Sequence, residues 1–397
     1  MKKTIQDIDV KDKKVLLRVD FNVPISKGEI VNTKRIVAAL PTIKHLLKNG
    51  ASIIIFSHLG RVKVEDDKKT KSLQVVAKKL SELLNQEVKF VNDTRGREVE
   101  EVSKNLKPGE IMMIENTRFE DLNNKAESGC DEELSKFWAS LGDVYVNDAF
   151  GAAHRAHAST YGIAKYVKES AIGFLIEDEL KHLGKILDGF ERPFVAIIGG
   201  AKVSDKIKVL EKLFTVADKI LIVGGMAYTF KAALGYKIGT SLFEEDKLEL
   251  AKSYLSKYAD KIVLPIDNAY TDEFADKTPQ FTTPEDQNIP VGFEGLDIGP
   301  KSIELFDKEI QNAKTIFWNG PAGVSEFVNF ANGTKGIAIS IAKNSDSYSV
   351  VGGGDSAAAV EKLGYEDKFT FISTGGGASI EFIQGNVLPG IDIISNK

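Results

Sequence analysis

Short apolar runs rich in β-branched residues recur along the whole of this sequence, each closed by a polar or glycine-rich cluster and followed by an amphipathic stretch. That rhythm points to βαβ units. Strands buried on both faces of a parallel sheet read as continuous apolar runs, while the crossover helices need one apolar stripe. In the first half the runs are 15–19, 52–56, 111–114 and 144–146; in the second they are 194–198, 219–223, 261–264, 315–318, 349–351 and 369–372. Apolar residues three and four apart predict helices over 34–48 and 73–84. A longer helical stretch, about 171–190, precedes Pro193 and is expected to connect two lobes. The segment from about 271 to 298, with Pro279, Pro284 and Pro290, predicts a loop with short strands. A chain of 397 residues exceeds what one core usually organises, so two domains are expected.

Charge and cysteine content narrow the function. With 52 basic against 57 acidic residues, net −5, no field covers the surface that would hold nucleic acid or anionic lipid, so an anionic ligand must be bound locally. The single cysteine, Cys130, cannot form an internal disulfide. No apolar core follows the basic start, and no apolar stretch approaches the ~18 residues of a membrane span. A cytoplasmic protein without nucleic-acid or membrane partners is expected. All 8 arginines lie between Arg18 and Arg192, whereas 22 of the 34 glycines lie in 191–397. One half is thus equipped to grip anions with guanidinium forks and the other with backbone N–H groups.

In open α/β sheets ligands bind beyond the carboxyl ends of the strands. In the first half those positions carry Asp20-Phe21-Asn22, Ser57-His58-Leu59-Gly60-Arg61, Glu115-Asn116-Thr117-Arg118, and Asn147-Asp148 leading to His154-Arg155-Ala156-His157. Arg35 opens a helix, where the positive helix end and the guanidinium reinforce each other toward an anion. A basic crater for a small polyanion follows, with Asp20 and Asn22 as acceptors for a ligand hydroxyl. His154 and His157 have metal-ligand spacing but no third ligand beside them. The stretch 63–71 reads as a solvated lysine-rich loop.

In the second half a glycine turn, Gly199-Gly200-Ala201, is followed by Lys202 and Lys206, four apart and expected on one face near a helix N-terminus. Further turns are Gly224-Gly225, Gly352-Gly353-Gly354-Asp355-Ser356 and Gly375-Gly376-Gly377. None is a Walker loop or Gly-x-Gly-x-x-Gly, which argues against a nicotinamide dehydrogenase. Four such turns after strands nevertheless suit phosphates. Asp355 is either an N-cap or a partner for Mg²⁺, which needs only one or two carboxylates beside nucleotide phosphates. Asn319, Pro321 and Glu326 would wall base and ribose, although Glu326 equally fits a solvated helix start.

At these motifs the sequence resembles the phosphoglycerate kinases over essentially its whole length. Matching strings are 18–24, 57–61, 115–119, 147–159, 199–206, 224–227, 295–300, 318–323, 352–356 and 373–379, in the family's order. Val62, where the family usually has proline, and Ser356, where threonine is frequent, depart from the pattern.

The resemblance implies two similar-sized doubly wound, Rossmann-like parallel-sheet α/β domains facing a cleft and joined by a helix hinge. Residues 1–170 with 380–397 would bind phosphoglycerate, 171–190 would form the interdomain helix, and 191–379 would bind nucleotide. It implies a monomer that moves a phosphoryl group between 1,3-bisphosphoglycerate and MgADP, giving 3-phosphoglycerate and MgATP. Phosphoglycerate would meet Asp20, Phe21, Asn22, Arg35, His58, Leu59, Gly60, Arg61, Arg118 and Arg155. Nucleotide would meet Gly199, Gly200, Ala201, Lys202, Lys206, Gly224, Gly225, Gly295, Asn319, Pro321, Glu326, Gly352, Gly353, Gly354, Asp355 and Ser356, with Asp355 toward Mg²⁺. Arg35, Lys202, Lys206, Gly353 and Gly376 are expected to stabilise the transferring group, and domain closure to unite the two sets. A carboxylate acceptor is ionised at neutral pH, which accounts for the lack of an evident catalytic base. The alternative is a two-lobed anion- or nucleotide-binding protein without kinase activity.

Overall fold

The strand Lys14–Arg18 (β1) is the pivot of a six-stranded, all-parallel sheet in the first half of the chain. With Ser52–Phe56 (β2), Val88–Val91 (β3), Ile111–Ile114 (β4), Val144–Asn147 (β5) and Glu169–Ile172 (β6), the order is β3-β4-β2-β1-β5-β6. The computed structural model describes every residue except Asn123. Register sets the ends of neighbouring strands level: Arg18 lies opposite Phe56 on one side and Asn147 on the other. Ile53, Ile54 and Ile55 are fully buried, each worth roughly 1.5–3 kcal/mol in transfer from water. The helix Lys34–Lys48 (α1) turns Ile36, Ile43 and Leu46 into this core, and Gln74–Leu84 (α2) turns in Val76 and Leu80.

The strands β3 and β6 escape the apolar-run pattern because Lys89, Glu169 and Ser170 interrupt them. Both end the sheet; β3 tolerates a lysine there, and at β6 the outer side is met by Thr4 and by Ser395, whose N donates to Ser170 Oγ at 3.0 Å, so the polar side chains are accommodated. As a result the expected connector helix starts later than residue 171. Strand β6 runs to Ile172, Gly173 intervenes, and the helix is Phe174–Leu187 (α3). A Cβ on Gly173 would lie 2.3 Å from the carboxyl of Asp148, so this break needs glycine.

The second half repeats the plan. Phe194–Ile198 (β7), Lys219–Ile222 (β8), Ile262–Val263 (β9), Thr315–Asn319 (β10), Tyr348–Gly352 (β11) and Phe371–Ile372 (β12) are parallel in the order β9-β8-β7-β10-β11-β12. The order reverses between β7 and β10, which places the sheet's switch point at Gly199 and Gly320. Asn268–Thr271, Gln280–Phe281 and Glu294–Ile298 form a small antiparallel sheet, so the proline-rich segment does contain short strands.

The chain divides into two compact units, Met1–Lys181 with Val387–Lys397, and His182–Asn386, so the division falls inside α3. The C-terminal return begins at 387 rather than 380. Residues Gly377–Ile383 form a helix of the second unit, with Ala378, Ser379 and Ile383 buried and Ser379 Oγ 2.6 Å from Ser373 Oγ. Beyond it Asn147 Nδ2 donates to Gly390 O at 2.7 Å, and Lys3 N donates to Ser395 O at 2.8 Å. Among the described residues no helix is long and apolar enough to cross a membrane.

Candidate active site

Parallel register brings the clusters after β1, β2, β4 and β5 to one edge of the first sheet. There Arg61, Arg118, Arg155 and His157 line one open pocket of about 530 Å³, with Lys63 and Lys125 also on its wall. None of the three arginines has a carboxylate ion-pair partner among the described residues. Arg118 Nη1 donates to Gly60 O, which aims the guanidinium. Burial, and then the charges of Arg155 and Arg18, lower its pKa, so these cations repel one another until an anion arrives. The loop that carries Arg61 is fixed by two asparagines through three hydrogen bonds. Gly60 N donates to Asn22 Oδ1 at 2.8 Å, Leu59 N donates to Asn116 Oδ1 at 3.2 Å, and Asn116 Nδ2 donates to Leu59 O at 2.8 Å.

Arg35 is in the first turn of α1, one-third exposed and paired to Asp20 at 2.5 Å. Phe21 and Leu59 are buried, so their side chains support the loops rather than face a ligand. His58 is also buried, and burial followed by the charges of Arg18, Arg118 and Arg35 holds it well below the usual imidazole range. For His157 burial, followed by the charges of Arg18, Arg118 and Arg155, brings the value to about 3, so both rings are neutral at physiological pH. The stretch 63–71 contains the short helical turn Glu65–Lys69, which has no buried residue and bears local ion pairs such as Lys68–Glu65 at 2.9 Å. No group of three or more His, Cys, Asp or Glu side chains among the described residues could hold a metal ion.

In the second unit a pocket of about 590 Å³ opens at the switch point. Of the expected residues, Gly200, Ala201, Gly224, Gly225, Gly295, Pro321, Glu326 and Asp355 line it. Tyr228, Leu242 and Phe274 also form its wall, which the sequence reading missed. The sequence carries no signal for them, because an apolar residue in a loop reads as core, whereas Leu242 and Phe274 stay 48% and 60% exposed. Glycine is required where chains cross closely. A Cβ on Gly199 would lie 2.2 Å from Pro321 O, and one on Gly295 would lie 2.1 Å from the Tyr228 hydroxyl.

The expected sharing of one helix face by Lys202 and Lys206 does not occur, because the helix after the first glycine turn is Ile207–Val216 (α4). Lys206 is the N-cap, and Lys202 lies in the preceding turn, exposed. The turn Ser204–Asp205–Lys206 takes up the chain that was expected to be helical, and Ser204 N donates to Glu244 Oε2 at 2.9 Å. Lys206 Nζ donates to Asn319 Oδ1, and its pKa is lowered by burial. Asn319 and Ser356 are buried and serve the frame. Asn319 Nδ2 donates to Gly352 O at 2.8 Å, and Ser356 Oγ accepts from Gly320 N at 2.7 Å. Gly353, with φ +93°, caps the helix Gly354–Leu363 (α5), and Gly376, with φ +54°, precedes Gly377–Ile383. An added Cβ at Gly354, Gly376 or Gly377 would meet nothing within 4 Å, so main-chain N–H groups are approachable there. Asp355 is exposed in the first turn of α5.

A guanidinium-lined pocket in one parallel-sheet unit and a glycine-lined pocket at the switch point of another define a two-unit α/β phosphotransferase. A sequence model described as phosphoglycerate kinase matches residues 5–386. The phosphoglycerate kinases of Enterococcus faecalis and Fusobacterium nucleatum are 59% and 58% identical, each over 100% of both chains. The solved structure of phosphoglycerate kinase from Coxiella burnetii superposes with a TM-score of 0.87 at 38% identity, covering 99% of this chain and 98% of that one. The enzyme from Pyrococcus horikoshii OT3 gives 0.84 at 33% identity, with coverage of 99% and 98%. The chain belongs to the phosphoglycerate kinase family, whose acceptor group is a carboxyl.

Proposed function

We propose that this enzyme transfers a phosphoryl group reversibly between 1,3-bisphosphoglycerate and ADP, giving 3-phosphoglycerate and ATP in glycolysis. The observation that carries the reading is the division of chemistry between the units. Three guanidiniums with no carboxylate partner among the described residues, Arg61, Arg118 and Arg155, line a pocket in one, and a glycine-lined pocket with apolar walls lies in the other. The first suits a small molecule bearing phosphate and carboxylate, because planar forks match both groups bidentately. The second suits a flat base with a polyphosphate over backbone N–H groups.

In this mechanism Arg61, Arg118 and Arg155 bind the phosphoglycerate anion together with His58, while Asn22 holds the loop that faces it through Gly60 N. Asp20 aims Arg35. Arg35 and Lys202 supply positive charge around the transferring group, Lys206 serves the nucleotide phosphates, and the main chain at Gly353 and Gly376 donates hydrogen bonds. Such preorganised donors act on charge that develops in the transition state. The acceptor carboxylate attacks without a base, so orientation and electrostatics carry the rate. Because the two sets belong to different units, transfer requires the units to bring their ligands into line.

Asp355 fits a magnesium ion that arrives on the nucleotide, since it is exposed on the pocket wall. The ion would neutralise phosphate charge there. We further take the enzyme to be a cytoplasmic monomer, a reading that rests on the family.

The test is a coupled assay of ATP consumption with 3-phosphoglycerate, with and without Mg²⁺. Turnover that needs all three supports the proposal. ATP binding without transfer leaves only a two-lobed binding protein, and turnover without added metal removes Asp355 from its role.

A further inference from the structure

Arg18 ends β1 and is 1% exposed, yet it belongs to neither pocket wall. Each of its three guanidinium nitrogens has a partner. Nε donates to Ser159 Oγ at 2.8 Å, Nη1 donates to Val19 O, and Nη2 lies 3.1 Å from His58 Nδ1. Ser159 Oγ in turn donates to Glu127 Oε1, and Ser159 N donates to Glu127 Oε2 at 2.9 Å. Glu127 is fully buried. The directions in this chain are forced. A guanidinium has only donors, so Ser159 must spend its hydroxyl proton on Glu127 while accepting from Arg18, and His58 Nδ1 must accept. An imidazole that accepts at Nδ1 is neutral and carries its proton on Nε2.

The groups facing the ring favour the same state. Arg18, Arg118 and Arg35 all oppose a positive charge on His58, and His157 adds a second imidazole that is itself held neutral. Burial pushes the Glu127 carboxyl up while the Arg18 charge and the Ser159 hydrogen bonds pull it down, and it meets Arg18 through Ser159 rather than through the ring. Among the described residues His58 Nε2 has no protein hydrogen-bond partner, and the residue keeps 7% of its surface exposed.

We propose that Arg18, braced by Ser159 and Glu127, is a positioning residue of the phosphoglycerate site: it locks His58 as the Nε2–H tautomer, so the ring meets the substrate as a hydrogen-bond donor and never as a cation or a base. The identity of the substrate rests on the function proposed above; the tautomer does not. The arrangement supplies a short, uncharged donor among guanidiniums that already repel one another. It also makes the donor insensitive to pH where a free histidine would titrate.

The experiment is long-range ¹H–¹⁵N correlation on the ¹⁵N-labelled full chain between pH 5.5 and 8, with His58 assigned through a His58→Gln variant. The expected result is an unprotonated Nδ1 and a protonated Nε2 throughout, with 3-phosphoglycerate shifting the Nε2 resonance. A protonated Nδ1, or conversion to imidazolium within that range, overturns the proposal without touching the kinase reading. Kinetics give the second readout. Arg18→Lys keeps the charge and removes the fork, so KM for 3-phosphoglycerate should rise about tenfold, equivalent to one lost ~1.4 kcal/mol contact. KM for ATP should stay within about twofold, and a pH dependence should appear below pH 7. Ser159→Ala, which cuts the brace and keeps Arg18, should move the same parameters less. An Arg18→Lys enzyme that folds with unchanged KM and a flat profile removes the role. Should it not fold, the wild-type spectrum and Ser159→Ala decide the matter. An Nε2–H tautomer in a chain that lacks kinase activity would refute the function and leave the lock standing.

Discussion

Lys206 Nζ donates to Asn319 Oδ1 at 2.5 Å, and so ties the turn after β7 to the end of β10 across the switch point of the second sheet. The other end of the same amide holds Gly352 O, which fixes the turn that leads to Gly353 and Asp355. One buried asparagine therefore sets three candidate nucleotide contacts.

Replacing Asn319 with alanine should destabilise the protein by about 1–3 kcal/mol, because Gly352 O loses its donor and Lys206 its acceptor in a buried setting. The catalytic signature should be a rise in KM for ATP with little change in KM for 3-phosphoglycerate. Urea denaturation together with steady-state kinetics would check both, and equal effects on the two KM values would contradict the assignment.

Arg35→Ala should lower turnover by roughly 10²–10³-fold, the usual cost of removing one preorganised donor at developing charge. ADP affinity measured by calorimetry should change far less. Loss of the Asp20 partner costs little stability, since the pair is partly exposed. Near-normal turnover would remove Arg35 from the transition state.

At Gly295 the methyl group of alanine would sit 2.1 Å from the Tyr228 hydroxyl, and Tyr228 is 5% exposed with little room to retreat. Gly295→Ala should therefore weaken ADP binding at least about tenfold, and binding of 3-phosphoglycerate should not change. Isothermal titration of each ligand separates the outcomes.

Burial pushes the Asp148 carboxyl up to about 7, from an ordinary 3.8, even though it accepts from Ile176 N at 3.2 Å at the start of α3. Among the described residues its second oxygen is buried without a hydrogen-bond partner, and Asp178 adds a like charge. Between the two values the native state holds a proton that the unfolded chain releases. This contribution is therefore complete below about pH 4 and is lost as pH rises toward 7, with a total on the order of a few kcal/mol. Asp148→Asn should remove that slope. Unfolding free energies of the two proteins compared at pH 5 and pH 8 should show the variant gaining relative to wild type at the higher pH.

Much of the fold was legible because the central strands are unbroken apolar runs. The sequence showed β1, β2, β4, β5, β7 and β10 directly. It hid β3 and β6, whose edge positions admit lysine, glutamate and serine, and it consequently drew α3 too long. The site was legible in part. Arg61, Arg118 and Arg155 stand out as basic residues after strands, and Gly199, Gly224 and Gly353 as turns. Glu127 gave no signal, since a glutamate in a polar loop looks solvated until Ser159 and Arg18 are seen against it. The placement of Lys202 was misread because nothing in 202–206 forbids helix; the turn is held by Glu244, some 40 residues away in the chain.

The sequence by itself determined the residue types that follow each strand, and with them the division into a guanidinium half and a glycine half. That information is local, because an apolar run and the cluster that closes it are neighbours along the chain. The tertiary structure decided which clusters meet and in what protonation state. Parallel pairing sets Arg18 level with Phe56 and Asn147, so residues far apart in sequence crowd at one sheet edge. Only there do burial and neighbouring guanidiniums make His58 a neutral donor, since desolvation and Coulomb repulsion depend on distance in space and not along the chain.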